Sequence, residues 1–126
     1  MALETKILKR KDYVYVVELI GSIDTETHSQ LEEELKEIIN EQTRALIFDM
    51  KGIDYISSIG IKVILDTKRQ SEQRQATFSM VNLQPQIRKV LNVMKILPMI
   101  DIFEDMEEAD KYIDQIIKEE IGRQTA

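Results

Sequence analysis

The chain has no cysteine, no tryptophan, one histidine, two prolines and four glycines in 126 residues. Without thiols there are no disulfides, no cysteine nucleophile and no thiolate metal site. With His28 as the only imidazole, a zinc or iron centre would need mostly carboxylate ligands, which suit neither metal. Gly21, Gly52, Gly60 and Gly122 stand too far apart to form a phosphate-cradling loop. His28 has no serine and acid beside it in a recognised triad order, so it reads as an exposed helix residue. Long apolar runs are also lacking, and none approaches the ~20 residues of a membrane span. The start, Met1 to Lys6, holds an acid and no continuous apolar stretch, so a signal peptide is not expected and the cytoplasm is the expected location. Lys and Arg number 17 against 23 Asp and Glu, a net charge of −6. No basic stripe offsets this, so neither nucleic acid nor an anionic membrane surface is an expected partner.

What is present describes one soluble globular domain. Hydrophobic residues make up 43% and charged ones 32%, and the length suits a single core. The domain is expected to cover 1–126, with its core over about 5–121. The order of elements follows from periodicity. Tyr13–Ile20 is rich in aromatic and β-branched residues and reads as a strand. It pairs with a stretch around Ile7-Leu8 through a turn at Lys9–Asp12. Thr27–Gln42 is predicted helical, with Thr25 as N-cap and Leu31, Leu35, Ile38 and Ile39 on one face. Glu32-Glu33-Glu34 lies on its solvated side. Ala45–Phe48, ending in Asp49, is a continuous apolar run, as in a strand covered on both faces.

A second helix is predicted from Ile61 to about Gln73, with Ser57 and Ser58 at its start. Thr77–Val81 reads as a strand. Pro85 opens a third helix with a stripe of Ile87, Val90, Leu91 and Met94. Ile100–Phe103 is a short strand or turn. Asp105 and Glu108 have capping-box spacing for a fourth helix with Ala109, Ile113, Ile116 and Ile117 buried. Gly122 is expected to end it, leaving 122–126 as a frayed tail. Met80, Met94, Met99 and Met106 read as core or gap-filling residues. The alternation implies an α/β fold: a mixed sheet of four to five strands with about four helices.

The segment Tyr55-Ile56-Ser57-Ser58-Ile59-Gly60-Ile61-Lys62 leads from a strand into a helix N-terminus, where unpaired amides favour anions. Two readings of its serines stand together. Ser57 or Ser58 caps the helix, or an exposed hydroxyl accepts a phosphate of charge about −1.5 to −2 at a contact surface. Asp24 is a partner contact or a capping residue beside Thr25. Lys62 touches a partner or is simply solvated. Asp49 sits where response-regulator receivers carry their phosphoacceptor. The paired acids and late Lys-Pro of such a domain are missing, so Asp49 reads as a turn-stabilising residue.

Gly21-Ser22-Ile23-Asp24, the stretch Phe48 to Leu65, Leu83 to Leu91 and Ile100 to Phe103 occur in this order and spacing. Together they resemble the STAS domain of anti-sigma factor antagonists. That resemblance implies a protein that is not an enzyme and needs no cofactor and no metal. It implies a partner-switching role: the chain binds an anti-sigma factor that is also a serine kinase, so freeing a sigma factor. Phosphorylation of the serine two before the signature glycine, here Ser58 before Gly60, ends binding, and a serine phosphatase resets it. The implied contact set is Asp24, Thr25, Ser57, Ser58, Ile59, Gly60 and Lys62. The chain departs from the pattern in carrying Ser57 where many members have Asp, and Ile59 where many have a small residue. Ser57 is therefore a second candidate for the phosphate. Some STAS domains are unphosphorylated scaffolds in signalling or transporter-associated complexes, which is the alternative role.

Overall fold

In the computed structural model, residues 2–11 and 13–125 are described, the side chains of Lys11 and of residues 120–125 excepted. The elements are β1 (Leu3–Lys11), β2 (Val14–Ile23), α1 (His28–Lys36), β3 (Ala45–Ile56), α2 (Ser58–Gln73), β4 (Thr77–Val81), α3 (Pro85–Val93), a 3-10 turn (Leu97–Met99), β5 (Asp101–Phe103) and α4 (Met106–Thr125). The five strands lie in the order β1-β2-β3-β4-β5. β1 is antiparallel to β2, and the other neighbours are parallel. The sheet is thus mixed, as its sequence predicts.

Parallel neighbours need crossovers, and α1, α2 and α3 supply them. Their apolar faces bury Leu31, Leu35, Ile64, Ile87 and Leu91 against Leu19, Phe48, Met50, Ile53 and Met80 of the sheet. Phe48 and Phe78 meet edge to face at 4.9 Å within this layer. On the opposite face α4 lays Ala109 and Ile113 over Val14, Val16, Ala45, Ile47 and Val81. The central strands are covered on both sides, which accounts for the unbroken apolar run at Ala45–Phe48.

Several boundaries differ from the sequence reading. β1 continues through Lys9 to Lys11, with Lys11 opposite Val14, so the turn is shorter than Lys9–Asp12. Tyr13 occupies it at φ 65, while Asp12 lies outside the described residues. β2 starts after Tyr13 and runs on to Ile23. α1 starts at His28, preceded by Thr27 rather than capped by Thr25, and stops at Lys36. Beyond it Asn40 Oδ1 accepts from Gln42 N at 2.8 Å, and Thr43 Oγ1 accepts from Asn40 N at 3.1 Å. These side chains offer the backbone an alternative to the helix, yet Ile38 and Ile39 stay buried.

β3 runs past Asp49 to Ile56. Asp49 is therefore no turn residue. It is buried within the strand, and its Oδ1 accepts from Asn82 Nδ2 at 3.1 Å and Lys51 N at 3.2 Å. The irregular pairing near Lys51 and Gly52 absorbs this polar stretch. In α3 only Ile87 and Leu91 of the predicted stripe are buried, whereas Val90 and Met94 are exposed. Met80 is core, but Met94 and Met99 are about half exposed at 53% and 52%, so they are not gap-fillers. Asp105 Oδ1 accepts from Glu108 N at 3.0 Å, while Glu108 reaches back to the Glu104 N–H. α4 passes through Gly122 to Thr125. A glycine costs a helix only about 1 kcal/mol, and no proline follows to stop it.

Candidate functional site

The site residues expected from sequence fall at the carboxyl ends of β2 and β3 and the turns that follow them. β2 ends at Ile23 and turns through Asp24–Thr27 into α1, while β3 ends at Ile56 and passes through Ser57 into α2. The Ile23 carbonyl joins the two. It accepts from Ser57 N at 3.0 Å and from Ser57 Oγ at 3.4 Å. Gly60 packs directly over it, since a Cβ there would stand 2.4 Å from the same oxygen.

Ser57 is the N-cap of α2. Its backbone is extended (φ −91, ψ 175), and its Oγ accepts from Gly60 N at 3.3 Å. Ser58 follows as the first helical residue and is exposed. The two adjacent hydroxyls thus have different environments: Ser57 is half-buried and bonded on both sides, while Ser58 faces solvent. The amides of Ser58 and Ile59 have no intrahelical acceptor, as in the first turn of any helix, and leave a partial positive charge beside the Ser58 hydroxyl. Ile59 is half-buried, Gly60 and Ile61 are buried, and Lys62 is exposed. Tyr55, which the sequence reading did not single out, is 49% exposed near the end of β3.

Asp24 organises the neighbouring turn. Its Oδ1 accepts from Glu26 N at 2.9 Å and Thr27 N at 3.2 Å, and its Oδ2 accepts from Ser22 Oγ at 3.0 Å. The Thr27 hydroxyl accepts from Asp24 N at 3.0 Å and donates to the Ser22 carbonyl at 2.9 Å. Asp24 caps no amide of α1, whose N-cap Thr27 makes no side-chain capping bond; with Ser22 and Thr27 it ties the turn before the helix, while Thr25 is exposed. The signal for the two missed residues was the spacing Ser22-x-Asp24-x-x-Thr27, which suits side-chain turns. His28 is only partly exposed, and its Nδ1 lies 2.6 Å from Glu32 Oε1.

Burial pushes the Asp24 carboxyl up. The hydrogen bonds from Ser22, from the Glu26 and Thr27 amides and from the Thr27 hydroxyl outweigh it, and hold the group below its ordinary value of 3.8. A carboxyl depressed by folding stabilises above its unfolded pKa, and that stabilisation disappears as pH falls through the lower folded value. The wild-type advantage over Asp24→Asn in thermal midpoint is therefore expected to be larger near about pH 6 than near about pH 3. A pH-independent gap would show that the charge of Asp24 does not support the turn.

Among the described residues no group of three or more His, Cys, Asp or Glu could hold a metal ion, and no helix is long and apolar enough to cross a membrane. The strand order with an antiparallel first strand also differs from the 2-1-3-4-5 order of receivers, and Asp49 is committed to Asn82 and Lys51.

The STAS domain family model matches residues 5–109, and the chain belongs to that family. It is 29% identical over 98 residues to BtrV of Bordetella bronchiseptica, named as an anti-sigma factor antagonist, covering 78% of this chain and 84% of BtrV. The anti-sigma-F factor antagonist RsfB of Mycobacterium tuberculosis is 25% identical over 96 residues, covering 76% of this chain and 78% of RsfB. An anti-sigma factor antagonist from Mycobacterium paratuberculosis superposes with a TM-score of 0.78 at 20% identity, over 89% of this chain and 94% of that one. Unphosphorylated SpoIIAA does so at 0.74 and 18% identity, over 86% of this chain and 96% of SpoIIAA. At these identities the structural likenesses establish the shared fold.

Proposed function

We propose that this chain is an anti-sigma factor antagonist that works by partner switching in the cytoplasm, with no catalytic site of its own. In its unmodified form it binds an anti-sigma factor that is also a serine kinase, and a sigma factor is released. The kinase supplies ATP and Mg²⁺, so the chain only presents a nucleophile. Phosphorylation of Ser58 ends the contact, and a serine phosphatase restores it. The contact surface comprises Asp24, Thr25, Ser57, Ser58, Ile59, Gly60 and Lys62, with Tyr55 added at its margin.

The observation that carries this reading is the unequal state of the two serines. Ser58 is exposed at the first position of α2. The Ser57 oxygen is the cap of that helix and is tied to Gly60 and Ile23. Phosphorylating Ser57 would remove the proton that its Oγ donates to the Ile23 carbonyl and set a dianion beside that oxygen in a half-buried place; phosphorylating Ser58 disturbs neither bond. Incubation of the chain with its kinase and ATP is expected to add one phosphate. Ser58→Ala should lose it and Ser57→Ala should keep it, as read by peptide mass spectrometry. Phosphate confined to Ser57 would reverse the assignment. Phosphate on neither serine, with the kinase active on another substrate, would move the chain to the unphosphorylated scaffold role.

A further inference from the structure

We propose that the outer face of α3 is a second docking surface, and that it takes an acidic amphipathic helix of another protein. Val90 and Val93 of this helix and Met94 at its C-cap lie three and four positions apart, which makes them neighbours. They are 37%, 70% and 53% exposed. Ile87 and Leu91 fill the buried side; Val90 and Met94, three and seven positions from Ile87, continue that stripe at its flank, and Val93 widens it, so the apolar surface of α3 extends past what the sheet covers. Neighbouring exposed apolar side chains are the raw material of an interaction site, and methionine adapts to a partner's shape.

Charge identifies the occupant. From Asn82 to Ile100 the chain has Arg88, Lys89 and Lys95 and no acidic residue. Subtracting these three charges from the net −6 leaves −9 on the rest of the molecule. Lys89 is one position before Val90 and four before Val93, so it borders the apolar row. Lys95 ends the helix in the left-handed region at φ 60, directly after Met94. Both lysines are exposed, while Arg88 lies 3.7 Å from Glu104. An apolar row edged by cations complements a helix that carries apolar residues at i, i+3 and i+4 between acids.

The other occupants fit less well. A two-fold pairing of this face with itself would set Lys89 and Lys95 against their own copies. Packing it on the acidic α1 of another copy is a head-to-tail contact that does not close. An anionic bilayer would be repelled by the −9 carried elsewhere.

This surface is separate from the Ser58 site. α3 begins where Gln84 Nε2 donates to the Lys51 carbonyl at 2.6 Å. It then runs back toward the level of β5, which opens with Asp101 opposite Ser79. Ser58 lies beyond the far end of β3, so α3 leads away from it and both surfaces can be occupied at once.

The test uses the full chain with a photo-crosslinking phenylalanine analogue at position 93, irradiated in the cells that produce it. The expected product joins position 93 to a peptide of another protein with acids flanking apolar residues at helical spacing. That peptide, made synthetically, should bind the wild-type chain and lose at least about tenfold in affinity to Lys89→Glu/Lys95→Glu. It should bind Ser58→Glu as well as wild type. Lys89→Gln/Lys95→Gln, a milder change, should fall between. A crosslink to a second copy, to lipid or to no macromolecule would overturn the proposal. So would binding that ignores the lysines, or binding lost in Ser58→Glu, which would fold this face into the first site.

Discussion

Gly60→Ala is expected to destabilise the protein by about 2 kcal/mol, although alanine is the better helix former by about 1 kcal/mol. Packing decides the sign. An alanine Cβ would stand 2.4 Å from the Ile23 carbonyl oxygen and 2.7 Å from Ile56 Cγ1. The isoleucine end can rotate away, but the carbonyl belongs to the backbone of β2 and cannot. The first turn of α2 must therefore withdraw from the sheet. That movement stretches the Ser57 N–H bond to the same oxygen, now 3.0 Å. Overpacking costs about 1–3 kcal/mol, and a weakened hydrogen bond adds about 1 kcal/mol, together more than the helical gain. Urea denaturation should show a lower midpoint with an unchanged slope. The same withdrawal displaces Ser58, so partner affinity should fall with stability. A midpoint equal to or above wild type would mean that the contact between α2 and the end of β2 is slack.

The features that sequence revealed are those fixed by local chemistry. Serines before an amphipathic run mark a helix start, and Ser57 with Ser58 sit at one. The α/β alternation was legible because the buried strands are short apolar runs and the helices carry stripes. What stayed hidden depends on partners distant in the chain. Asp49, Lys51 and Gly52 look like a turn, yet Asn82, 33 positions away, satisfies the Asp49 carboxylate and lets β3 continue. No local signal encodes that bond. Likewise the stripe on α3 announces an apolar face but not how far the sheet covers it, so Val90 and Met94 read as core although they stand exposed at the flank and the end of that stripe. At the site, the choice between Ser57 and Ser58 was open in sequence. What distinguishes their surroundings is the pair of Ser57 bonds to the Gly60 amide and the Ile23 carbonyl, and the latter is 34 residues from Ser57.

Ser58→Glu is expected to weaken binding to the anti-sigma factor by about 100-fold, or about 2.7 kcal/mol, without destabilising the free protein. The two halves have opposite electrostatics. In the free chain the new carboxylate sits on the first turn of a sixteen-residue helix, beside amides that lack intrahelical acceptors. A negative group there gains about 0.3–1 kcal/mol, so the thermal midpoint should hold or rise slightly. In the proposed complex the same group must leave water against a patch that includes the half-buried Ile59. An unpaired charge in a contact costs several kcal/mol before relaxation, which exceeds the gain at the helix end. A phosphate, with charge about −1.5 to −2, should act in the same direction and more strongly. Calorimetric titration of the anti-sigma factor with wild type, Ser58→Glu and Ser57→Ala separates the contributions. Ser57→Ala loses the cap and should lower stability by about 1 kcal/mol with a smaller change in affinity. If Ser58→Glu bound as tightly as wild type, the helix start would not be the contact surface. If it also unfolded the chain, the anion would not be resting on the α2 amides.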